Sequence, residues 1–316
     1  MTADAIAMPS SKNNDRPLAI SLLLGASGWV AGLFMLAFVA ALFRPDSTAQ
    51  AAFCGLTLLA AAWGLFKVDG DGAQVFVAQL ALTLSIAGQC LVLYAMSGDA
   101  HGIEPIANAA LVLQVALALV MPNRLHRTLS TLFACIAWAL TVRYALVGNP
   151  DFGGRGDALR IAPSLALAIV AWLVAWLPVV VALWWLISRG AAPALQRWQA
   201  VVQPIVTGFI VGLAFATIAS QPFESWRWWW GGGEVEVGGL VLWPLLSALG
   251  ALAAVAAAFA RRRRGLMGVC VVAALLHVSH FYYALGTSLV VKSLLMLAMG
   301  GAALIAARVL RPMENT

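Results

Sequence analysis

Ten long apolar runs divide this chain and constrain its fold more than any other feature. A helix needs about 20 apolar residues, with roughly 17 to 25 the usual range, to cross the hydrocarbon core of a bilayer, so the runs predict membrane-spanning helices. Two of them have only 16 residues and must draw on flanking residues to cross, unless one is re-entrant. The predicted number of spans is therefore ten, with eight or nine as alternatives. The runs are residues 18–43, 51–66, 73–96, 106–121, 128–147, 161–187, 200–219, 238–260, 265–285 and 287–307.

The composition places the chain in lipid rather than in water. Of its 316 residues, 62% are apolar and 10% are charged, whereas a soluble domain is about half apolar and about a quarter charged. We therefore expect an all-α fold, a polytopic transmembrane helix bundle whose first partner is the lipid bilayer. The net charge of +6 is carried by short basic clusters between apolar runs, a pattern that suits anionic lipid headgroups and not nucleic acid.

The distribution of lysine and arginine predicts the orientation of the spans. With a cytoplasmic N-terminus and ten alternating spans, 13 of the 19 basic residues fall on the cytoplasmic side and five on the other. Basic residues concentrate in cytoplasmic loops, so both termini are expected in the cytoplasm, with the chain in a bacterial inner membrane. The cytoplasmic set is Lys12, Arg16, Lys67, Arg124, Arg127, Arg189, Arg197, Arg261, Arg262, Arg263, Arg264, Arg308 and Arg311, and the outer set is Arg44, Arg143, Arg155, Arg160 and Arg227.

The polar segments are too short to form a separate soluble domain. We expect a cytoplasmic tail over residues 1–17, one multi-span membrane domain over 18–310 and a second cytoplasmic tail over 311–316. The first apolar run is longer than the roughly 7 to 15 residues of a secretory signal. It is therefore interpreted as an uncleaved span.

The spans carry little that suggests catalysis. No aspartate or glutamate lies within any of the ten runs, although proton-driven pumps and cation carriers rely on membrane-buried carboxylates. The chain has no Walker loop, GxGxxG turn or HExxH helix, and its four cysteines are too far apart in sequence to form a CxxC metal pair. We expect no catalytic residue, no cofactor and no metal site.

One polar cluster interrupts the last two runs, in the stretch HVSHFYYALGTSLVVKSLL at 277–295. A lysine at the centre of a membrane helix costs about 2.5 to 3.5 kcal/mol, so Lys292 either extends to the outer interface or faces a polar pocket. Without a buried carboxylate, such a pocket suits an anion, for example a lipid phosphate or a substrate carboxylate. The candidate pocket residues are His277, His280, Tyr282, Tyr283, Thr287, Ser288, Lys292 and Ser293.

Both ends of the chain resemble a known family. Residues 22–43 resemble the opening helix, and FYYALGTSLVVKSLLMLAMGGAALIAAR at 281–308 resembles the closing hairpin, of the bacterial integral-membrane family called domain of unknown function 4401, related to family 2157. The resemblance implies many spans, no extramembrane domain and no established activity. It also implies a partner, a second small membrane protein with a GDYxxLxY motif. The matching positions are Tyr282, Tyr283, Thr287, Lys292, Ser293 and Gly300.

Three functions remain open at this point. The first is a subunit of a membrane complex without catalytic chemistry of its own, which should present a small-residue or aromatic docking face. The second is a transporter or flippase for an anionic or lipid-like molecule with Lys292 as its charge contact, which should have broken helices around a water-accessible cavity. The third is a membrane-embedded enzyme, in which several polar side chains should meet at one point.

Overall fold

The computed structural model describes residues 18–43, 47–67, 74–97, 103–147, 164–189, 197–220, 242–284 and 288–310. All regular secondary structure in these ranges is helical. The eleven helices are α1 (Leu18–Phe43), α2 (Thr48–Leu65), α3 (Gln74–Ser97), α4 (Ile103–Val120), α5 (Arg124–Val147), α6 (Leu165–Ser188), α7 (Gln199–Ala214), α8 (Ala216–Ser220), α9 (Trp243–Ala260), α10 (Arg264–Ala284) and α11 (Leu289–Leu310).

The helices follow the apolar runs closely. Six of those described, α2, α3, α5, α6, α9 and α10, contain a stretch long and apolar enough to cross a membrane, so the predictions of an all-α fold and of several candidate spans are confirmed. The two short runs gain residues from their flanks, giving 18 residues each in α2 and α4. In α2 this is possible because the Ser47 hydroxyl caps the helix by accepting from the amide of Gln50. The predicted tails, residues 1–17 and 311–316, lie outside the described residues.

The seventh apolar run is interrupted, which the sequence did not predict. α7 ends at Ala214, and α8 begins at Ala216 after Phe215, whose φ of −104° and ψ of 31° depart from helical values. A break of this kind frees backbone groups that the helix would otherwise satisfy.

The chain forms two compact units, and the first covers residues 1–98. Its helices α1, α2 and α3 pack through close backbone approach. A Cβ atom on Gly55 would lie only 2.8 Å from the carbonyl oxygen of Gly88, so α2 and α3 meet where neither has a side chain. On α1, the indole Nε1 of Trp29 donates to Oε1 of Gln79 on α3 over 2.9 Å.

The second unit, residues 99–316, contains α4 to α11. Parallel helices α5 and α7 touch closely, since the Thr128 hydroxyl donates to the carbonyl oxygen of Pro204 over 3.3 Å. One turn further, a Cβ on Gly208 would lie 2.5 Å from Cβ of Thr131. This contact requires glycine and fixes the register of the two helices.

Tryptophan indoles connect the remaining core helices of the second unit. Each of four indoles donates to an oxygen on a neighbouring helix over 2.9 to 3.0 Å. A buried Trp N–H needs an acceptor, and here it makes a specific bond between helices. The pairs are Trp138 with the Ala175 carbonyl, Trp172 with the Ser247 hydroxyl, Trp176 with the Ser220 hydroxyl, and Trp243 with the Ala168 carbonyl.

Eight arginines of the second unit lie at the same end of its helix bundle. Nη1 of Arg261, just after α9, donates to Oε1 of Gln203 near the start of α7 over 3.2 Å. Nη1 of Arg127, at the start of α5, donates to the carbonyl oxygen of Ala200 over 3.0 Å. Because α6 runs opposite to α5, its C-terminus lies there as well. We call this the basic end, and its arginines are Arg124, Arg127, Arg189, Arg197, Arg261, Arg262, Arg263 and Arg264.

Candidate functional site

Lys292 lies in the first turn of α11, where its backbone N–H donates to the carbonyl oxygen of Ser288 over 3.1 Å. Its side chain is half-buried. The amine nitrogen is 5.1 Å from the centroid of the Tyr282 ring on α10, within the range in which an ammonium is attracted to the face of an aromatic ring. The predicted hairpin therefore brings Lys292 and Tyr282 together.

The other predicted pocket residues have different surroundings. Ser293 is exposed, and its hydroxyl donates to the carbonyl oxygen of Leu289 one turn earlier on the same helix. His277 is fully buried, and its Nε2 donates over 2.9 Å to the carbonyl oxygen of Ala214 on α7. His280 is half-buried, and Ser288 is exposed. The side chain of Tyr283 and the whole of Thr287 lie outside the described residues, so the complete pocket stays a prediction.

The bond of His277 explains how the break in the seventh apolar run is satisfied. The carbonyl of Ala214 belongs to the last residue of α7, and the histidine on α10 supplies a donor for it. An unpaired carbonyl in a buried position costs about 1 to 3 kcal/mol. The structural role of His277 is therefore to stabilise a helix end.

Sequence reasoning missed a second cluster, built around a buried cation. Arg143 was counted with the outer charges, yet its side chain is only 4% exposed within α5. Its Nη1 is 3.5 Å from the carbonyl oxygen of Ser220, and its guanidinium carbon is 5.6 Å from the Tyr144 ring centroid. The sequence did indicate that this side chain is buried, because Arg143 lies inside the apolar run 128–147.

The hydroxyl of Ser220 connects this cluster to the tryptophan network. It accepts from Nε1 of Trp176 over 3.0 Å and donates to the carbonyl oxygen of Ala216 over 2.7 Å. The neighbouring Thr217 hydroxyl is buried and has no hydrogen-bond partner among the described residues. The Arg143 guanidinium and the Ser220 and Thr217 hydroxyls thus meet around α8.

A cavity of about 360 Å³ lies nearer the basic end, among α4, α5, α6 and α7. Its walls are almost wholly apolar, with the Thr131 hydroxyl already bonded to the carbonyl oxygen of Arg127 over 2.8 Å. Two wall residues on α4, Val115 and Leu119, are 47% and 57% exposed. The cavity is therefore bordered by the outer surface of the bundle.

The turn between α9 and α10 is also unusual. Arg262 has φ of 53°, a left-handed conformation in which glycine is the usual residue. The amides of Arg262 and Arg263 donate to the carbonyls of Phe259 and Ala258, closing the helix end. Burial, and then the positive charge of Arg263, lower the pKa of Arg261. The basic end thus holds its arginines close together at a cost in backbone and electrostatic energy.

Metal ligands do not cluster in the part of the chain that the structure describes. No three histidine, cysteine, aspartate or glutamate side chains are grouped there as a metal ion requires. Each of the described cysteines is a free thiol, and Cys54, Cys135 and Cys270 are buried.

The chain matches the model of a known protein family. No curated protein and no solved structure matches the chain. The model of the family described as "Domain of unknown function (DUF4401)" matches residues 17–311, which is nearly the whole chain. This match confirms the resemblance carried by the opening helix and the closing hairpin. The chain belongs to the DUF4401 family.

Proposed function

We propose that this chain is a ten-span protein of the bacterial inner membrane that acts as a subunit of a membrane complex and has no catalytic chemistry of its own. The observation that carries the proposal is the surface of α11. Of the α11 side chains that the structure describes, all are exposed except Lys292, which is half-buried.

The exposed residues of α11 form a regular stripe. Five of them recur at alternating spacings of four and three residues, the 3.5-residue period by which two helices wind around each other. At Gly301 in this stripe, and at Gly300 beside it, an added Cβ would meet no atom within 4 Å. Small residues let a partner helix approach closely in a membrane. The stripe is Val290, Leu294, Leu297, Gly301 and Leu304.

The proposed partner is the small membrane protein with the GDYxxLxY motif that family resemblance implies. The motif contains an aspartate, whose charge is opposite to that of Lys292 at the start of α11. Lys292 itself is not on the stripe, because at about 100° per residue it lies about 200° around the helix from Val290, on the side that faces Tyr282 of α10. Docking on the stripe is therefore argued from its apolar and small residues alone.

The orientation in this proposal is supported by the basic end. Eight arginines of the second unit lie there, and basic residues favour the cytoplasmic side. With the basic end in the cytoplasm, Lys292 and Tyr282 are near the outer surface, as the sequence predicted.

Co-purification tests the complex. The full chain and the GDYxxLxY protein are co-expressed, extracted in mild detergent, and the mass of the purified particle is measured by light scattering. Replacing Gly301 with leucine should separate the two proteins, because the added side chain would hold a partner helix away. Gly268→Leu on α10 is the matched control, since an added Cβ there also meets no atom within 4 Å. A complex that survives Gly301→Leu unchanged contradicts docking on this stripe.

A second candidate is a transporter or flippase for an anionic or lipid-like molecule, with Lys292 as its charge contact. The break between α7 and α8 favours it, since discontinuous helices form the binding sites of many transporters. In a cysteine-free background, a cysteine at position 292 and others along α11 are treated from outside with a membrane-impermeant thiol reagent. Reaction at position 292 and one turn deeper, at position 296, would show a water-filled path and favour the transporter over the complex subunit. Protection below the outer edge would exclude a water-filled path along α11.

A further inference from the structure

We infer that the apolar cavity among α4 to α7, together with Arg127 and Arg124 at the basic end, binds one anionic phospholipid. One acyl chain would occupy the cavity and the phosphate would lie against the two arginines. This site is separate from α11 and does not depend on the proposed complex.

The size and walls of the cavity suit an acyl chain. Its volume of about 360 Å³ is within the range of about 300 to 1,000 Å³ seen for ligand sites. Residues such as Ala134, Trp138 and Phe209 line it and offer an acyl chain dispersion contacts, but almost no hydrogen bonds. The exposed wall on α4 provides a route from the bilayer, so a chain could enter sideways without crossing the packed core.

Arg127 is positioned to bind the headgroup. It lies four residues before Thr131 of the cavity wall, about 6 Å along the helix axis, toward the basic end. Its Nη1 is held by the carbonyl of Ala200, and its Nε is buried without a hydrogen-bond partner among the residues the structure describes. The guanidinium is thus fixed in place and half-buried, and it would attract a phosphate by its charge rather than through Nε. Arg124, one turn further out, is exposed.

Neighbouring residues mark the headgroup level at this end. Trp184 and Trp185 near the end of α6 are exposed, as tryptophans at a membrane interface usually are. The Arg189 guanidinium carbon is 5.7 Å from the Trp185 ring centroid. The cavity residue Ala182 is one turn below this level, as the first carbons of an acyl chain would be.

The charges favour an anionic headgroup over a zwitterionic one. Glu104 is the single carboxylate in the described ranges, and it lies in the first turn of α4, at the opposite end from Arg124 and Arg127. A phosphate at the basic end would therefore meet positive charges that no described carboxylate neutralises. A second arginine near the surface adds further to this attraction.

Native mass spectrometry of the purified full chain tests the site, with phosphatidylglycerol and phosphatidylcholine of the same acyl chains as probes. Phosphatidylglycerol should bind in preference, with one tightly held molecule. Arg127→Gln should weaken phosphatidylglycerol binding about fivefold and leave phosphatidylcholine unchanged, because about that much is lost with one arginine near a headgroup. Arg127→Lys, which keeps the charge, should restore most of the preference. Arg264→Gln, an exposed arginine of the same end on α10, is the matched control and should change little.

A filled cavity gives an independent readout. Ala134→Phe places a ring in the cavity and should reduce binding of both lipids, whereas Ala166→Phe at an exposed position of α6 should not. Elution at the wild-type volume in size-exclusion chromatography verifies that each variant is folded. Equal binding of the two lipids, or unchanged binding after Ala134→Phe, would overturn the proposal. If the full chain and the GDYxxLxY protein do not co-purify but lipid binding is retained, only the proposed function is contradicted.

Discussion

The core of the second unit and its closing helix differ in how they treat polar and small residues. In the core, indoles and hydroxyls bond between helices, and Gly208 is pressed against Thr131. Along α11 the described side chains other than Lys292 are exposed, and Gly300 has open space around it. The same small residues therefore have different roles in the two places. In the core, glycine lets two helices of this chain pack closely, and on α11 it leaves room for the helix of a partner.

The strongest way to test this comparison is to remove a core tryptophan. Trp176 is completely buried on α6, and its Nε1 donates to the Ser220 hydroxyl. Trp176→Ala should lower the free energy of unfolding by about 3 to 5 kcal/mol, from lost packing and an empty volume. Denaturant titration in detergent micelles, followed by circular dichroism, measures the change.

The matched control is on the same helix. Trp184→Ala removes a side chain that is 69% exposed, so the unfolding transition should move little. Equal losses from the two substitutions would mean that the core contacts of α6 do not stabilise the fold more than its outer face does.

A smaller effect is expected when a methyl group is added to glycine. Gly208→Ala places Cβ within 2.5 Å of Cβ of Thr131, so α5 and α7 must separate, at about 1 to 3 kcal/mol. Gly300→Ala on α11 adds the same atom in open space and should leave the unfolding free energy unchanged or slightly raised. Thermal unfolding of both variants in the same detergent separates the two cases, and a similar loss at Gly300 would show that α11 is packed like the core.

The helices could be predicted from the sequence because membrane spans are set by length and apolarity alone. α1 begins and ends where its apolar run does, and the closing hairpin brings Lys292 to Tyr282. What the sequence could not supply was the partner of each buried polar residue. Arg143 and His277 both lie inside apolar runs, but their roles depend on a helix break at Phe215 and on neighbours more than 60 residues away.

The turn at the basic end allows a test in which a substitution should stabilise. Arg262→Gly relieves a left-handed backbone conformation and should raise the free energy of unfolding by about 1 kcal/mol. Arg263→Gly removes the same charge from the next residue, without positive φ to relieve, and should not stabilise. Unfolding is measured in high salt, where repulsion between arginines is screened, so that the difference between the variants reports the backbone conformation. An equal gain in unfolding free energy from both variants would mean that the lost charge, and not the backbone, is the cause.

The smallest expected effect on stability is at Lys292, the residue that the sequence made most conspicuous. Lys292→Met removes a contact with the Tyr282 ring worth about 0.5 to 1 kcal/mol, but it also removes the cost of holding an ammonium in an apolar helix. These contributions oppose each other, so the unfolding transition should move by less than about 1 kcal/mol. Association with the GDYxxLxY protein should also be unchanged, because Lys292 lies on the face of α11 opposite the stripe. Weakened association after Lys292→Met would contradict docking on the stripe alone, whereas a large loss of stability would place Lys292 with the buried groups of the core.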